Sequence, residues 1–248
     1  MADLLKSKNI LIIGAGEIGR RTITRCVEEG ASVTVWDRRI FALEFPDRVI
    51  FKNIDIRNTA LLKESFLDCE NSMGHIDAVV NTAGIVKIQK FDEITRNDWY
   101  EILETNLTSA FFVMQAAIPH LAKTAGSMVN IGSISGIRGE PEISHYVASK
   151  FGLVGLTQAL AIECGSLGVR VNIICPGAVD SRMNDLILIR NADGQNLDLH
   201  HARRLMASDT PLQRLCTTND VANAVLYFAS DLSQFVTGQA LLVTGGKA

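Results

Sequence analysis

The sequence predicts an α/β fold: a single doubly wound, seven-stranded parallel sheet with helices on both faces. Three observations predict it. Short apolar runs rich in β-branched residues alternate along the chain with longer amphipathic segments, as strands joined by helical crossovers do. The runs are apolar on both faces instead of alternating with polar residues, which is what strands covered on both sides require. Gly14-Ala15-Gly16-Glu17-Ile18-Gly19 separates the first apolar run from the first amphipathic segment, the place for a tight strand-to-helix turn.

The elements follow in order. Asn9–Ile13 reads as a buried strand, Glu17–Glu29 as a helix, Ser32–Trp36 and Val49–Ile54 as strands two and three. Thr59–Met73 is helical, and Ile76–Asn81 is a fourth strand. Thr95-x-x-Asp98 has the form of a capping box and opens one long helix to about Leu121. Ser127–Gly132 is strand five, Ser144–Leu167 a helix and Val169–Cys175 strand six. Asp220–Ser230 is the last helix and Ala240–Val243 the seventh strand. Ser181–Leu215 is the exception, a long stretch of mixed charge with Gly194 and Pro211. Such a stretch inside a compact domain is usually functional or mobile.

Composition narrows the function classes. With 248 residues, 47% hydrophobic and 21% charged, the chain suits one domain over 1–248 with a substantial core. The net charge of −3 and the lack of a basic stripe with interleaved aromatics argue against nucleic acid. Cys26, Cys69, Cys164, Cys175 and Cys216 are scattered, without CxxC or Cys/His spacing. They read as small buried hydrophobes, and no metal site is expected. Met1–Lys8 lacks the apolar core of a signal peptide, and no apolar run looks long enough to span a bilayer. The expectation is a cytoplasmic protein with no membrane partner.

The glycine turn indicates a dinucleotide. Gly14 permits the tight turn, Gly16 lets backbone approach a pyrophosphate, and Gly19 lets helix pack on strand. The helix N-terminus offers free N–H groups and partial positive charge to the phosphates. Asp37 supplies the acid expected about 20 residues on, at the end of strand two. A carboxylate there accepts from both adenosine ribose hydroxyls and repels a 2′-phosphate, so NAD is favoured over NADP. Glu17 adds a second negative charge in the same sense. Arg38 and Arg39 follow at once, and either could turn toward a 2′-phosphate instead.

Tyr146 and Lys150 lie at i and i+4 on a predicted helix, hence on one face. A free phenol titrates near pH ~10. An adjacent ammonium favours phenolate and draws that pKa toward the working range, so the pair is a device for moving a proton on or off an oxygen.

With these residues in place, the whole chain resembles the short-chain dehydrogenase/reductase (SDR) family in its classical branch, a Rossmann-like fold. Asn81-Thr82-Ala83-Gly84 resembles the family's Asn-Asn-Ala-Gly, and Asp55-Ile56 its adenine-contacting acid. Asn106 matches its structural and catalytic Asn, and Ser133, after Asn130-Ile131-Gly132, its catalytic Ser. Tyr146 and Lys150 match its Tyr-x-x-x-Lys, and Pro176-Gly177-Ala178-Val179-Asp180-Ser181 the Pro-Gly-x-Val-x-Thr that receives the nicotinamide carboxamide. Thr237-Gly238-Gln239 and Gly245-Gly246 match its C-terminal segment. The departures are Ile13 for Thr, a glycine turn one residue shorter, Glu17 for Gly, Thr82 for Asn, Ser181 for Thr and Thr244 for a common Asp.

The resemblance implies hydride transfer between a nicotinamide and a carbinol carbon. Tyr146 is then the general acid or base, with Lys150 lowering its pKa and holding the nicotinamide ribose. Ser133 binds the substrate oxygen, and Asn106 anchors a water that joins Lys150 to solvent. The cofactor set is Gly14, Gly16, Glu17, Ile18, Gly19, Asp37, Arg38, Asp55, Ile56, Asn81, Ala83, Gly84, Tyr146, Lys150, Pro176, Gly177, Val179 and Ser181. Ser135, Ile143, Met183 and Leu186 are candidate contacts for a small alcohol or ketone in a largely apolar pocket. Met183 and Leu186-Ile187-Leu188-Ile189 could form a lid over it within 181–215, or an ordinary packed helix. His145 should point to another face than Tyr146, at the surface or the pocket rim. The leading expectation is an NAD-dependent secondary-alcohol dehydrogenase or ketone reductase. The alternatives are an NADPH-dependent 3-oxoacyl or polyketide-type ketoreductase and a non-catalytic cofactor-binding sensor or scaffold. A homotetramer, or a homodimer, is implied by the resemblance through the two long helices and the C-terminal strands.

Overall fold

The computed structural model describes residues 3–39, 49–193 and 198–247. Residues 194–197 of the expected lid and the side chain of Ile187 lie outside the described residues. Seven strands form one sheet: β1 (Asn9–Ile13), β2 (Ser32–Asp37), β3 (Val49–Asn53), β4 (Ala78–Asn81), β5 (Ser127–Ile131), β6 (Arg170–Pro176) and β7 (Ala240–Val243). Their order is β3-β2-β1-β4-β5-β6-β7, and every pairing is parallel. The chain winds from β1 outward to β3, then returns to β4 on the other side of β1. Ligands of such sheets bind beyond the strand C-termini at that reversal. Here Ile13 of β1 pairs with Asn81 of β4, so the turns after both strands emerge side by side.

Alternation along each strand distributes apolar residues to two cores. Leu11, Ile13 and Trp36 face one layer with Phe66, Val113 and Leu153, and Trp36 meets Phe66 edge-on at 4.8 Å. Ile10, Ile12, Val33 and Val35 face the other, with Ile23 of α1 (Glu17–Glu28) and Phe228 of α8 (Thr218–Ala229). Each such side chain stabilises the fold by roughly 1.5–3 kcal/mol. The first layer holds α2 (Leu62–Met73), α4 (Ser109–Leu121) and α5 (Ser144–Cys164).

Three expectations are corrected. The helix from Thr95 to Leu121 is not continuous: α3 (Arg96–Leu103) opens with the expected Thr95–Asp98 capping box, but a π-helical turn over Glu104–Thr108 precedes α4. Such turns recur at functional sites, and this one carries Asn106. The stretch 181–215 is not irregular. It contains α6 (Arg182–Asp193) and α7 (Leu199–Ser208), which pack through Leu188 and Ala202. Arg203 of α7 binds Asp185 of α6 at 2.9 and 2.8 Å, which uses the mixed charge of that segment. Finally, Ser144–Leu167 does reach the length and apolarity of a bilayer-spanning helix. In this fold its apolar stripe is the packing face toward the sheet: Ser149, Leu153, Thr157 and Ala161 are buried.

Candidate active site

The glycine turn is shaped by contacts that only glycine tolerates. Gly14 has φ = 94°. A Cβ at Gly19 would lie 2.0 Å from the Gly14 carbonyl oxygen, closer than any relaxation of a side chain could relieve. Gly16 caps α1 with extended backbone, and a Cβ there would meet nothing within 4 Å. The first N–H groups of α1 therefore open onto a cleft. Thr82, just after β4, stitches the turn in place: its hydroxyl donates to the carbonyls of Ile13 and Gly14 at 2.9 and 2.8 Å.

Asp37 closes the turn onto β2. It is buried, and its Oδ2 accepts from the Ala15 N–H at 2.7 Å. Its Oδ1 accepts from the Arg39 N–H at 2.8 Å. The Arg39 side chain also donates to Oδ1, from Nε at 3.4 Å, so Oδ2 is the oxygen that retains a lone pair for a further donor. Arg38 lines the same cleft beside Asp55 and Ile56. Asp55 grips Arg57 through both oxygens, and that guanidinium holds its carboxyl below the usual range. An uncapped helix N-terminus, glycine-lined approach and a terminal carboxylate fit the pyrophosphate and ribose of a dinucleotide.

The second end of the cleft is built by β5, α5 and β6. Ser133 follows β5 in extended conformation, and its Oγ accepts from the Ser135 N–H at 3.1 Å. Tyr146 and Lys150 stand one turn apart on α5, both buried. Lys150 Nζ donates to the Ile131 carbonyl at 2.9 Å and lies 5.6 Å from the Tyr146 ring centre. Burial pushes Lys150 down to about 8. Burial pushes Tyr146 up to about 12, against a hydrogen bond with Ser133 and aided by the charge of Glu140. Asn106 clamps the peptide of Ile85, donating to its carbonyl and accepting from its N–H, both at 2.9 Å. Its amide also donates to Ser149 Oγ of α5 at 3.1 Å. The π-helical turn is thereby tied to the segment after β4 and to α5.

Pro176 ends β6, and Gly177 donates to Val243 at 3.0 Å. Gly177, Val179 and Ser181 line the cavity that also contains Ser133, Tyr146 and Lys150. Ile18, Thr82, Gly84, Ser181 and Met183 line both this cavity and the glycine-turn cleft, so the two are continuous.

Comparison with known proteins agrees with this geometry. A family model described as enoyl-(acyl carrier protein) reductase matches residues 14–248. The chain is 32% identical to the 3-oxoacyl-[acyl-carrier-protein] reductase FabG of Chlamydia muridarum, over 100% of both chains. It belongs to the short-chain dehydrogenase/reductase family. Among solved structures, levodione reductase superposes with a TM-score of 0.90 at 27% identity, covering 98% of each chain. ElxO with NADP bound gives 0.85 at 27% identity, over 96% of this chain and 98% of that one. The protein is therefore an SDR oxidoreductase with a nicotinamide cofactor.

Within this SDR the expected residues are mostly gathered, with four corrections and one refinement. Leu186 is 54% exposed and does not line the substrate cavity, because α6 turns Leu188 inward instead. Asn81 is buried behind the cleft, where its Oδ1 accepts from the Ala83 N–H at 3.2 Å. Both Nδ2 hydrogens of Asn106 are taken by Ile85 and Ser149, so the amide nitrogen is a clamp, and a water anchored at this residue has to donate to one of its oxygens. His145 is buried beside Tyr146 and not at the surface or rim, since the packing face of α5 is wide enough to include it. The Tyr146 phenol is raised, not lowered, because the protein's desolvation of phenolate outweighs any help from Lys150. Sequence reasoning missed Glu140, Arg138 and Lys247, which line the substrate cavity with Val86 and Ile88. A loop acid between the Ser and Tyr motifs was the available signal for Glu140.

Proposed function

We propose that this SDR transfers hydride between NAD(H) and a secondary alcohol or ketone. The observation that carries the cofactor choice is Asp37, buried at the end of β2 and held by the Ala15 N–H at 2.7 Å. A carboxylate so fixed receives ribose hydroxyls and repels a 2′-phosphate. When bound, the nicotinamide supplies or accepts the hydride at its ring C4. Tyr146 gives its proton to the carbonyl oxygen in reduction and takes it from the alcohol in oxidation. Lys150, within reach of the same space, adds positive charge that steadies the phenolate between those states. Ser133 orients the substrate oxygen. Val86, Ile88, Ile143 and Met183 supply apolar walls, and α6 and α7 cover the cavity as the lid segment within 181–215, excluding water around the transfer.

A second reading is an NADPH-dependent 3-oxoacyl reductase. It is supported by the identity with FabG, by the NADP-bound ElxO neighbour and by Arg38 on the cleft wall. Titration with NADH and NADPH, followed by nicotinamide fluorescence, separates them. Tight NADH and weak NADPH binding supports the first reading, and the reverse order replaces it with the second. We also propose a homotetramer through α4, α5 and β7, supported by exposed Phe111, Phe151 and Ile162 on those helices and Leu241 and Leu242 on the edge strand.

A further inference from the structure

Glu140, in the loop between β5 and α5, lines the same cavity as Ser133 and Tyr146. Its Oε2 accepts from the Ser135 hydroxyl, and the Arg138 guanidinium stands 3.5 Å from its Oε1. An ionised carboxylate offers about four acceptor sites, so these contacts orient the group and leave it able to accept again. The side chain keeps 28% of its surface open, which is the part a ligand can reach.

Ser135 also fixes how far the carboxylate stands from the reacting end. Ser133 Oγ lies 3.1 Å from Ser135 Oγ, and Glu140 bonds that same Ser135 oxygen. Ser133 and the carboxylate are therefore at most two hydrogen-bond lengths apart. That span suits two neighbouring oxygens of one molecule, the first on Ser133 and the second on Glu140. Ser135 has a single proton and gives it to Glu140, since a carboxylate only accepts.

The open sites of Glu140 call for a donor on the substrate. An apolar ketone would cover the carboxylate, strip its water and return no hydrogen bond. A hydroxyl returns one. Arg138, Lys150 and Lys247 line the cavity beside Glu140 and Glu142, so the acids already have cations near them and a neutral hydroxyl is favoured over an ammonium group. On the lid side, Asn184 of α6 and Thr210 after α7 are buried and line the cavity too. They add polar atoms for further hydroxyls.

We propose that the substrate is a polyhydroxylated alcohol or ketone, a vicinal diol or a small sugar, whose hydroxyl beside the reacting carbon is received by Glu140. The proposal deepens the secondary-alcohol reading and rests on it for the oxygen that occupies Ser133. Glu140 is then the residue that sets substrate preference, and Ser135 is the residue that positions it.

Saturation-transfer NMR on an equimolar mixture of cyclohexanol and its vicinal cis-diol tests this in one tube. The protein carries the reduced nicotinamide cofactor, which cannot oxidise an alcohol, so the readout is binding and needs no turnover. The native protein is expected to hold the diol about tenfold or more tighter. In Glu140→Leu the preference should fall to near one, and in Glu140→Gln, which keeps an acceptor oxygen, part of it should return. A merely structural role for Glu140 would weaken both ligands together and leave their ratio alone. Ser135→Ala releases the carboxylate from its anchor and should give an intermediate preference. Equal binding of the two by the native protein, or binding of neither, overturns the proposal. So does an unchanged preference in folded Glu140→Leu, or in Ser135→Ala should the first variant not fold. Rates separate the proposal from the reading beneath it. The kcat/KM for the α-hydroxy derivative of cyclohexanone should exceed that for cyclohexanone about tenfold or more, chiefly through KM. Preferred binding of the diol with no turnover of either ketone would keep the role of Glu140 and overturn the secondary-alcohol reading instead.

Discussion

Glu17 and Arg182, 165 positions apart in sequence, meet at the mouth of the cleft: the Glu17 carboxylate accepts a 2.8 Å hydrogen bond from the Arg182 backbone N–H. The glycine turn and the first turn of α6 are thus joined directly. Glu17 also places negative charge at the N-terminus of α1, where phosphates are expected. Glu17→Ala should tighten NADH binding several-fold and speed proteolysis within 182–193, because α6 loses an N-terminal acceptor worth about 1 kcal/mol. Fluorescence titration and limited proteolysis check the two effects, and unchanged values for both would count against the link.

Tyr146 is the proton-moving group on this account. Tyr146→Phe should lower turnover by about 10²–10⁴-fold and leave the NADH dissociation constant within a few-fold of native. Steady-state rates beside a binding titration decide it. Near-native turnover in the variant would remove Tyr146 from the mechanism.

Lys150 has a folded pKa depressed to about 8 from 10.5. Its contribution to stability is therefore present above the unfolded value and lost as pH falls through the folded one. Stability attributable to Lys150 should rise between pH about 8 and 10.5. Lys150→Met should be more stable than native near neutral pH, by on the order of 1–3 kcal/mol, while losing activity. Urea midpoints for both proteins across that range test the sign, and a native advantage that grows toward low pH would refute it.

Gly19→Ala places a Cβ 2.0 Å from the Gly14 carbonyl oxygen. The backbone must separate there, at a cost of about 2 kcal/mol or more, and NADH binding should be lost with it. Thermal unfolding and fluorescence titration give the two readings. A variant that binds NADH normally would show that the turn is not the phosphate site.

Asp37→Ala removes the acceptor of the Ala15 N–H and the carboxylate proposed to receive the ribose. NADH affinity should fall about tenfold, about 1.4 kcal/mol, while NADPH affinity holds or improves. An unchanged ratio of the two dissociation constants would exclude Asp37 as the discriminating group.

Most of the architecture was legible in the sequence because it rests on local rules. The doubly apolar strands, the Gly14–Gly19 turn and the Thr95–Asp98 capping box each depend on residues near one another in sequence, and each stands as read. Tyr146 and Lys150 share a face for the same reason, since helical spacing places i and i+4 together. The sequence by itself therefore determined the fold class, the dinucleotide turn and the pairing of phenol with ammonium.

Only the tertiary structure decided what long-range contacts decide. The π-helical turn at Asn106 exists where that side chain bridges Ile85 and Ser149, and no local pattern announces it. The inward turn of Leu188 and outward turn of Leu186 follow from α7 packing on α6. The direction of the Tyr146 shift required its burial to be known, because desolvation is a property of the whole surround and the Tyr-Lys spacing reports only one charge. Glu140 gained meaning once the loop folded back and brought its carboxylate to Ser135, since hydrogen bonds of that kind are set by three-dimensional approach and not by spacing along the chain.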